Sequence, residues 1–510
     1  MMNYWSASAF LVLLFVGNAS ALTATGADSR VDLSWEAKRD VLYNVYRNDA
    51  ARGSFEKINK NPHPVGVYSD FTGKNGRVYY YKVSEIVGEG KERFIAPKPV
   101  SARTRQMEDA ELVTSIQEAT FRYFWDYAHP VSGMTRERYF GNFDGCASGG
   151  TGFGVLAVMI GAERGFVTRT EAAERLLTIA KFLEKADRYH GAWAHWINGS
   201  TGKTIRFSKT DDGADIVETA LLMQGLLTVR QYFDQDNPVE KELRETITRL
   251  WETVEWDWFY KEPYMVWHWS PNYGFEKNLK VRGYNECMIV YLLAIASPTH
   301  PIPAEAYYEG WAGQPNYANG KKHYGITLDV GRHMGGPLFL SHYSFCCFDP
   351  RGIRDKFTNY FKNAQAITKI HRAYCKDNPG DFKGYNGLVW GLTACYTPDG
   401  YRACEPGGKH DNGTIAPTAA LGSMPYTPKE SLATMKYFYH ELGDRLWGPF
   451  GFYDSFNPDR DWFADGYLAI DQGPIIVMIE NARTGLCWKN FMKNPEIVPT
   501  LKAIGFERDE

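Results

Sequence analysis

The 510-residue sequence predicts a small all-β sandwich followed by a large, mainly α-helical domain in which a double ring of helices surrounds a funnel. Three observations carry this. Apolar residues alternate with period two up to about residue 105, and beyond residue 106 they recur with helical spacing. The helical segments are of two kinds, some amphipathic and some apolar all round, as outer and inner helices of a ring require. The length also exceeds what one hydrophobic core usually organises.

Residues 1–21 read as a signal peptide, with an apolar run over 9–16 and the small residues Ala19-Ser20-Ala21 before a cut at Leu22. The run is short for a bilayer span, so the mature chain is expected to be secreted or periplasmic and free of the membrane. Residues 22–105 hold three alternating segments, Val31-Asp32-Leu33-Ser34-Trp35, Leu42-Tyr43-Asn44-Val45-Tyr46-Arg47 and Val78-Tyr79-Tyr80-Tyr81-Lys82-Val83. In these segments the region resembles a fibronectin type III module, and it is assigned no chemistry.

From 106 to 510 helical spacing appears over 110–127, 170–186, 215–233, 240–254, 285–296, 429–442 and 474–482. The 240–254 segment is amphipathic and belongs outside, whereas 216–227 and 288–296 must be buried. No strand pattern is expected between the helices, and the long Gly-, Pro-, Asn- and aromatic-rich loops at one mouth are expected to carry function.

A net charge of −3, with Lys and Arg evenly spread, leaves no electrostatic footprint for nucleic acid or an anionic membrane. Aromatic residues make up 15% of the chain, and many of the 15 Trp are flanked by Gly, Asn, Asp or His, a setting that suits grooves. All eight Cys lie from Cys146 onward, and Cys395 and Cys404 flank a turn and are expected to pair. With no CxxC pair and no His-rich spacing, neither a metal nor a cofactor is expected.

The sharpest feature is Thr210-Asp211-Asp212-Gly213-Ala214-Asp215-Ile216-Val217-Glu218. If it is helical, Asp211, Asp215 and Glu218 stand at i, i+4 and i+7 on one face of an otherwise apolar helix. Crowded acids in such a place need a metal, basic partners, or a catalytic use for a raised pKa. The plainer reading is that Asp211 and Asp212 cap the helix while Asp215 pairs with a basic residue. A second acid, Glu286, is expected in the first turn of the buried 285–296 helix, beside Asn285. A third, Asp471, precedes an apolar helix that starts at Gly473-Pro474. Inverting glycoside hydrolysis needs a protonated acid and an ionised base roughly 6.5 to 9.5 Å apart. Glu286 suits the acid, and Asp471 or one of Asp211, Asp215 and Glu218 suits the base. Flat aromatic faces with polar rims, which sugars require, are offered by Trp193, His195 and Trp196, by Trp267 and His268, by His342 and Tyr343, by Trp390, and by Tyr453 with Trp462.

In Ala214-Asp215-Ile216-Val217-Glu218-Thr219-Ala220, Gly283-Tyr284-Asn285-Glu286, Ser297-Pro298-Thr299-His300-Pro301, Gly335-Gly336-Pro337-Leu338-Phe339, Asp349-Pro350-Arg351-Gly352, Trp390-Gly391-Leu392-Thr393-Ala394 and Ala469-Ile470-Asp471-Gln472-Gly473-Pro474, the chain resembles the glycoamylase-like family. Within it the resemblance is to the bacterial endo-β-1,2-glucanases of glycoside hydrolase family 144, and it covers nearly everything from residue 108 on. It implies an (α/α)₆ toroid, metal-independent inverting hydrolysis of a β-1,2-glucan, and an acidic pocket at Asp211, Asp215, Glu218 and Glu286. A monomer with an oligo- or polysaccharide as its partner is expected. Exo-hydrolysis of another linkage, a polysaccharide lyase and a non-catalytic glycan-binding protein are the other readings. A lyase acts on uronic acids, which this excess of buried acid would repel.

Overall fold

A computed structural model describes residues 22–88, 90–139, 144–315 and 317–509; the expected signal peptide lies outside the described residues. Among these, no helix is long and apolar enough to cross a membrane. The chain divides into two compact units, residues 1–127 with 436–453, and residues 128–435 with 454–510.

The N-terminal part of the first unit, up to residue 105, holds eight strands among the described residues: β1 (Thr23–Ala27), β2 (Arg30–Ser34), β3 (Tyr43–Asn48), β4 (Glu56–Lys57), β5 (Val67–Phe71), β6 (Val78–Val87), β7 (Lys91–Phe94) and β8 (Val100–Arg103). They form one sheet in the order β1-β2-β5 and a second in the order β4-β3-β6-β7, with β8 also paired to β6. Alternation decides which faces meet: Tyr79, Tyr81 and Val83 of β6 turn inward onto Val31, Leu33, Trp35, Tyr43 and Val45.

This unit contains more than the sandwich. Helix α1 (Asp109–Trp125) and residues 436–453 belong to it, and Arg30 is the side chain that ties them together. Its guanidinium, 3% exposed, pairs with Asp32 at 3.0 Å, donates to Tyr439 Oη at 3.1 Å and to Ser115 Oγ, and lies 4.8 Å over the Trp447 ring. Ser69 Oγ donates to Asp32 at 2.6 Å and accepts from Trp447 Nε1 at 2.9 Å. The fork geometry of arginine lets one buried cation satisfy a strand, a helix and a distant segment at once.

In the second unit the helices are α2 (Ser148–Arg164), α3 (Arg169–Lys185), α4 (Ile216–Tyr232), α5 (Pro238–Glu252), α6 (Met288–Ala296), α7 (Tyr360–Asp377), α8 (Pro417–Leu421), α9 (Pro428–Leu446, of which the part from Lys436 falls in the first unit), α10 (Ala469–Arg483), α11 (Leu486–Phe491) and α12 (Ile497–Ile504). Helices α2, α4, α6, α8 and α10 are buried nearly all round, and they adjoin one another in the order α8-α10-α2-α4-α6. Helices α3 and α5 bury one stripe each and pack on each other outside α2 and α4.

Helix α2 was not expected, because its glycines depress helix propensity. Those glycines serve close packing: a Cβ at Gly152 would lie 2.1 Å from the Leu221 carbonyl of α4, and one at Gly225 would lie 2.2 Å from the Gly152 carbonyl. The strand-free second domain is corrected as well. Short pairs such as Gly145–Ala147 with Trp196–Asn198, Ala214–Asp215 with His268–Trp269, and Ala394–Thr397 with Gly400–Ala403 join the loops. The Cys395–Cys404 disulfide is absent, and all eight cysteines are free and buried. The two thiols of the expected pair do meet, Cys395 lying in hydrogen-bond reach of Cys404, and Cys404 also donates to the His410 carbonyl at 3.3 Å.

Replacing Arg30 by Met is expected to destabilise the first unit by about 3 kcal/mol, because Asp32 and the Ser115 and Tyr439 hydroxyls lose a buried partner together. A urea denaturation curve compared with that of the unmodified protein checks this.

Candidate active site

The sequence Asp211 to Glu218 brings its acids together by a different route from the expected helix. Helix α4 begins only at Ile216; Asp215 is its N-cap, and its Oδ1 accepts from Val217 N at 3.0 Å and Glu218 N at 2.9 Å. Residues 214–215 form a strand paired with His268–Trp269, and the Asp215 and Ile216 amides donate to the Trp193 and Trp267 carbonyls. That pairing sets Asp215 opposite His268. The His268 Nε2 atom lies 3.6 Å from Asp215 Oδ2 and 3.1 Å from Asp211 Oδ2, and Lys277 Nζ donates to Asp211 Oδ2 at 3.0 Å. Burial opposes ionisation of Asp211, but His268 and Lys277 outweigh it and hold its carboxyl below the ordinary range.

Glu218 meets the start of α2. Its Oε2 accepts from Gly149 N at 2.6 Å, where the helix N-terminus favours a negative charge. His195 Nδ1 lies 3.4 Å from Asp215 and 4.0 Å from Glu218. Burial raises the Glu218 carboxyl most; His195 opposes this, Asp215 adds to it, and the balance stands at about 7. For His195 burial acts downward, but Glu218, Asp215 and Glu137 together push it up to about 10, so it is a cation at neutral pH.

Glu286 does not lie in a helical turn. It stands two residues before Met288, in the turn that Cys287 ends as N-cap of α6. Ser344 Oγ pins that turn through the Glu286 carbonyl, and Asn285 Oδ1 accepts from Cys287 N at 3.0 Å and from Trp311 Nε1 at 2.7 Å. Burial raises the Glu286 carboxyl above its usual value, its own amide and Arg332 pull the other way, and Asp215 pushes it further up. The field of Asp215 thus reaches Glu286, which places the two acids in one electrostatic environment.

Asp471 is the third residue of α10, not the residue before it, since the helix begins at Ala469 and carries Pro474 inside. It is 1% exposed and faces Asp454, which is 2% exposed and which sequence reasoning left out of the site. Burial raises both, and Asp454 and Glu137 push Asp471 well above the carboxylate range. Glu137 acts on Asp471, His195 and Glu218 alike, and so links the two acid groups. Nothing in Arg136-Glu137-Arg138 marks it in the sequence, because it sits in a loop with no periodic pattern.

The aromatic candidates divide. Trp193 and Trp390 are fully buried, and Trp193 Nε1 donates to the Leu183 carbonyl, so both are core residues rather than platforms. Trp196 is half-buried, with Nε1 on Glu137 at 2.9 Å and its ring 4.7 Å from Phe207, which is 46% exposed and was not foreseen. Phe207 also lies 4.4 Å from the His195 ring, so an exposed aromatic face borders the acids. Trp267 is half-buried and stacked on His268. Trp462 is half-buried in the short strand pair with Phe456–Asn457, and Tyr453 falls in the first unit, where its amide donates to the Leu446 carbonyl. His342 and Tyr343 are buried, the former against Ser423.

Asp211, Asp215 and His268 present ligand-type atoms within 4.8 Å of one another, close enough to hold a metal ion. Lys277 Nζ, 3.0 Å from Asp211 Oδ2 and 3.3 Å from His268 Nε2, brings a cation of the protein's own to the same place.

Comparison with known proteins decides the family. Residues 278–495 match the family described as "Glycoamylase: Putative glucoamylase". An exo β-1,2-glucooligosaccharide sophorohydrolase (non-reducing end) of Parabacteroides distasonis is 43% identical over 96% of this chain and 71% of its own length. The protein belongs to the glycoamylase-like family, of the glycoside hydrolase family 144 type. A crystal structure of a β-1,2-glucanase from P. distasonis superposes with a TM-score of 0.91 at 42% identity, covering 96% of this chain and 73% of that one. The endo-β-1,2-glucanase of Chitinophaga pinensis, solved with sophorotriose and glucose, gives a TM-score of 0.77 at 48% identity, covering 79% of this chain and 99% of that one. In this member of the glycoamylase-like family Asp211, Asp215 and Glu218 gather around His195 and His268 from a helix start and the loop before it rather than along one helical face.

A Cβ at Gly149 would lie 2.7 Å from Glu218 Oε2 and 3.1 Å from Leu221 Cδ1. Gly149→Ala is therefore expected to cost about 2 kcal/mol of stability by overpacking, read as a lowered thermal midpoint.

Proposed function

We propose that the chain is a glycoside hydrolase that cleaves β-1,2-linked glucan with inversion, Glu286 giving the proton to the leaving oxygen and the facing Asp454 and Asp471 carboxyls supplying the base. The observation that carries this is the state of Glu286. It is a carboxyl raised by burial and by Asp215 and set in a pinned turn at a helix start, the direction of shift that a general acid needs. Asp211 and Asp215 are poorer candidates for proton transfer, because Lys277, His268 and two helix amides already engage their oxygens. Their place in this reading is to fix His195 and His268 beside the sugar, with Phe207 and Trp196 as the aromatic face. The buried and amphipathic helices are read as the inner and outer members of an (α/α)₆ toroid, and the N-terminal sheets as a fibronectin type III-like module.

Internal cleavage is the first reading of the mode of action, supported by the 48% identity to the endo-acting C. pinensis enzyme. Removal of sophorose from the non-reducing end is the second. It is favoured by the exo-acting relative matching 96% of this chain, and so reaching into the N-terminal sheets. We further propose export to the periplasm or beyond, supported by the apolar run over 9–16 and the small residues at 19–21; the mature protein recovered from that fraction is expected to begin at Leu22.

Glu286→Gln is expected to lower kcat on β-1,2-glucan by about 10² to 10⁴-fold, with thermal midpoint and glucan binding retained. An unchanged rate removes Glu286 from the chemistry. Assays on β-1,2-, β-1,3-, β-1,4- and α-1,4-glucans, with products sized by chain length, test the linkage. They also separate a ladder of oligosaccharides from the single disaccharide of exo action.

A further inference from the structure

Asp454 and Asp471 approach from separate elements, the loop after residue 453 and the first turn of α10, and both are buried. Asp454 is held on one side only: its Oδ2 accepts from Tyr396 N at 2.7 Å and from Ser455 Oγ at 3.2 Å. Its Oδ1 and the Oδ2 of Asp471 are buried and meet no donor. Two facing carboxyl oxygens become hydrogen-bonding partners only when a proton lies between them, and a buried acceptor without a donor is costly. The charge on Asp471 comes from Asp454 and Glu137, both negative, while Tyr343, Tyr396, Tyr401 and Cys395 are the other titratable groups that face the pair.

We propose that Asp454 and Asp471 act as one proton-sharing unit, whose single ionised carboxylate is the base. The pair carries one proton and one negative charge. As the water oxygen bonds to the anomeric carbon, the glycosidic C–O bond breaks and its electron pair leaves with the departing oxygen, which takes the Glu286 proton. The water's proton passes to the pair, which becomes neutral with two protons while Glu286 becomes a carboxylate, so the charge of the site is conserved. This kinetic role rests on the hydrolase reading; the shared proton itself does not.

Burial pushes Asp454 up to about 6, against the hydrogen bonds from Asp471, Tyr396 and Ser455, so the pair takes its second proton there and activity is expected to fall below that pH. In Asp454→Asn the negative neighbour is gone and the amide can donate to Asp471. The acid limb of kcat is then expected to move down by about one pH unit. The second arm needs no substrate. Acids whose folded-state values are raised lose stability as pH rises from about 4 through those values. The thermal midpoint of the unmodified protein therefore carries a downward slope there that Asp454→Asn lessens. Asp471→Asn lessens it too, and the double variant lessens it by less than the two single effects added together. An unmoved acid limb with an unchanged slope in folded Asp454→Asn overturns the proposal. Should Asp454→Asn not fold, an unchanged slope in Asp471→Asn does so. If no glucan is cleaved at all, the hydrolase reading fails and the thermal arm alone decides the pair.

Discussion

A carboxylate taken out of water must find a cation, an amide dipole or a proton, and the second unit is arranged around that demand. Asp211 takes a cation from Lys277, Asp215 takes the first amides of α4, and Glu218 takes the first amide of α2. Asp454 takes the Tyr396 amide and Glu286 its own, yet burial raises both, and Asp471 with them. The same chemistry thus holds Asp211 below the ordinary carboxylate range and raises Glu218, Glu286, Asp454 and Asp471 above it. General acid–base catalysis requires that pairing.

The close approach of α2 to α4 makes this possible. Gly149 presents its N–H to Glu218, and Gly152 and Gly225 let two backbones touch where any larger residue would hold them apart. Helix α2 is poor in intrinsic helix propensity, so its stability comes from burial on α4 and α10. Its glycines therefore belong to packing and to the site together. In the first unit Arg30 meets the same electrostatic rule with the opposite sign, a buried cation satisfied by Asp32, two hydroxyls and an aromatic face.

Strong periodicity made much of the architecture legible. The strands around Leu33 and Val45 and the helices α1, α3, α4 and α5 stand within two residues of where alternation or helical spacing set them, and the strand around Tyr81 starts as set but runs on to Val87. Helices α2 and α7 are not among the segments that spacing picked out: α2, rich in glycine and buried nearly all round, carries no one-sided stripe, whereas α7 does bury one. At the site, Asp211, Asp215, Glu218, Glu286 and Asp471 were recognisable as acids beside apolar helices. Glu137, Asp454, Lys277 and Phe207 were not, because each lies in irregular chain where spacing carries no information about what it faces.

The sequence by itself determined the change from sheet to helix near residue 106, the apolar helices that must be buried, and the acids that crowd their starts. Those are local properties, written in the order of neighbouring residues. Only the tertiary structure decided that Asp215 caps α4 instead of lying along it, that Trp193 and Trp390 are core, and that Asp471 meets Asp454. It decided too which acid gains a cation and which a proton, since those partners come from residues as distant in the chain as Gly149 and Glu218, and long-range pairing leaves no period to read.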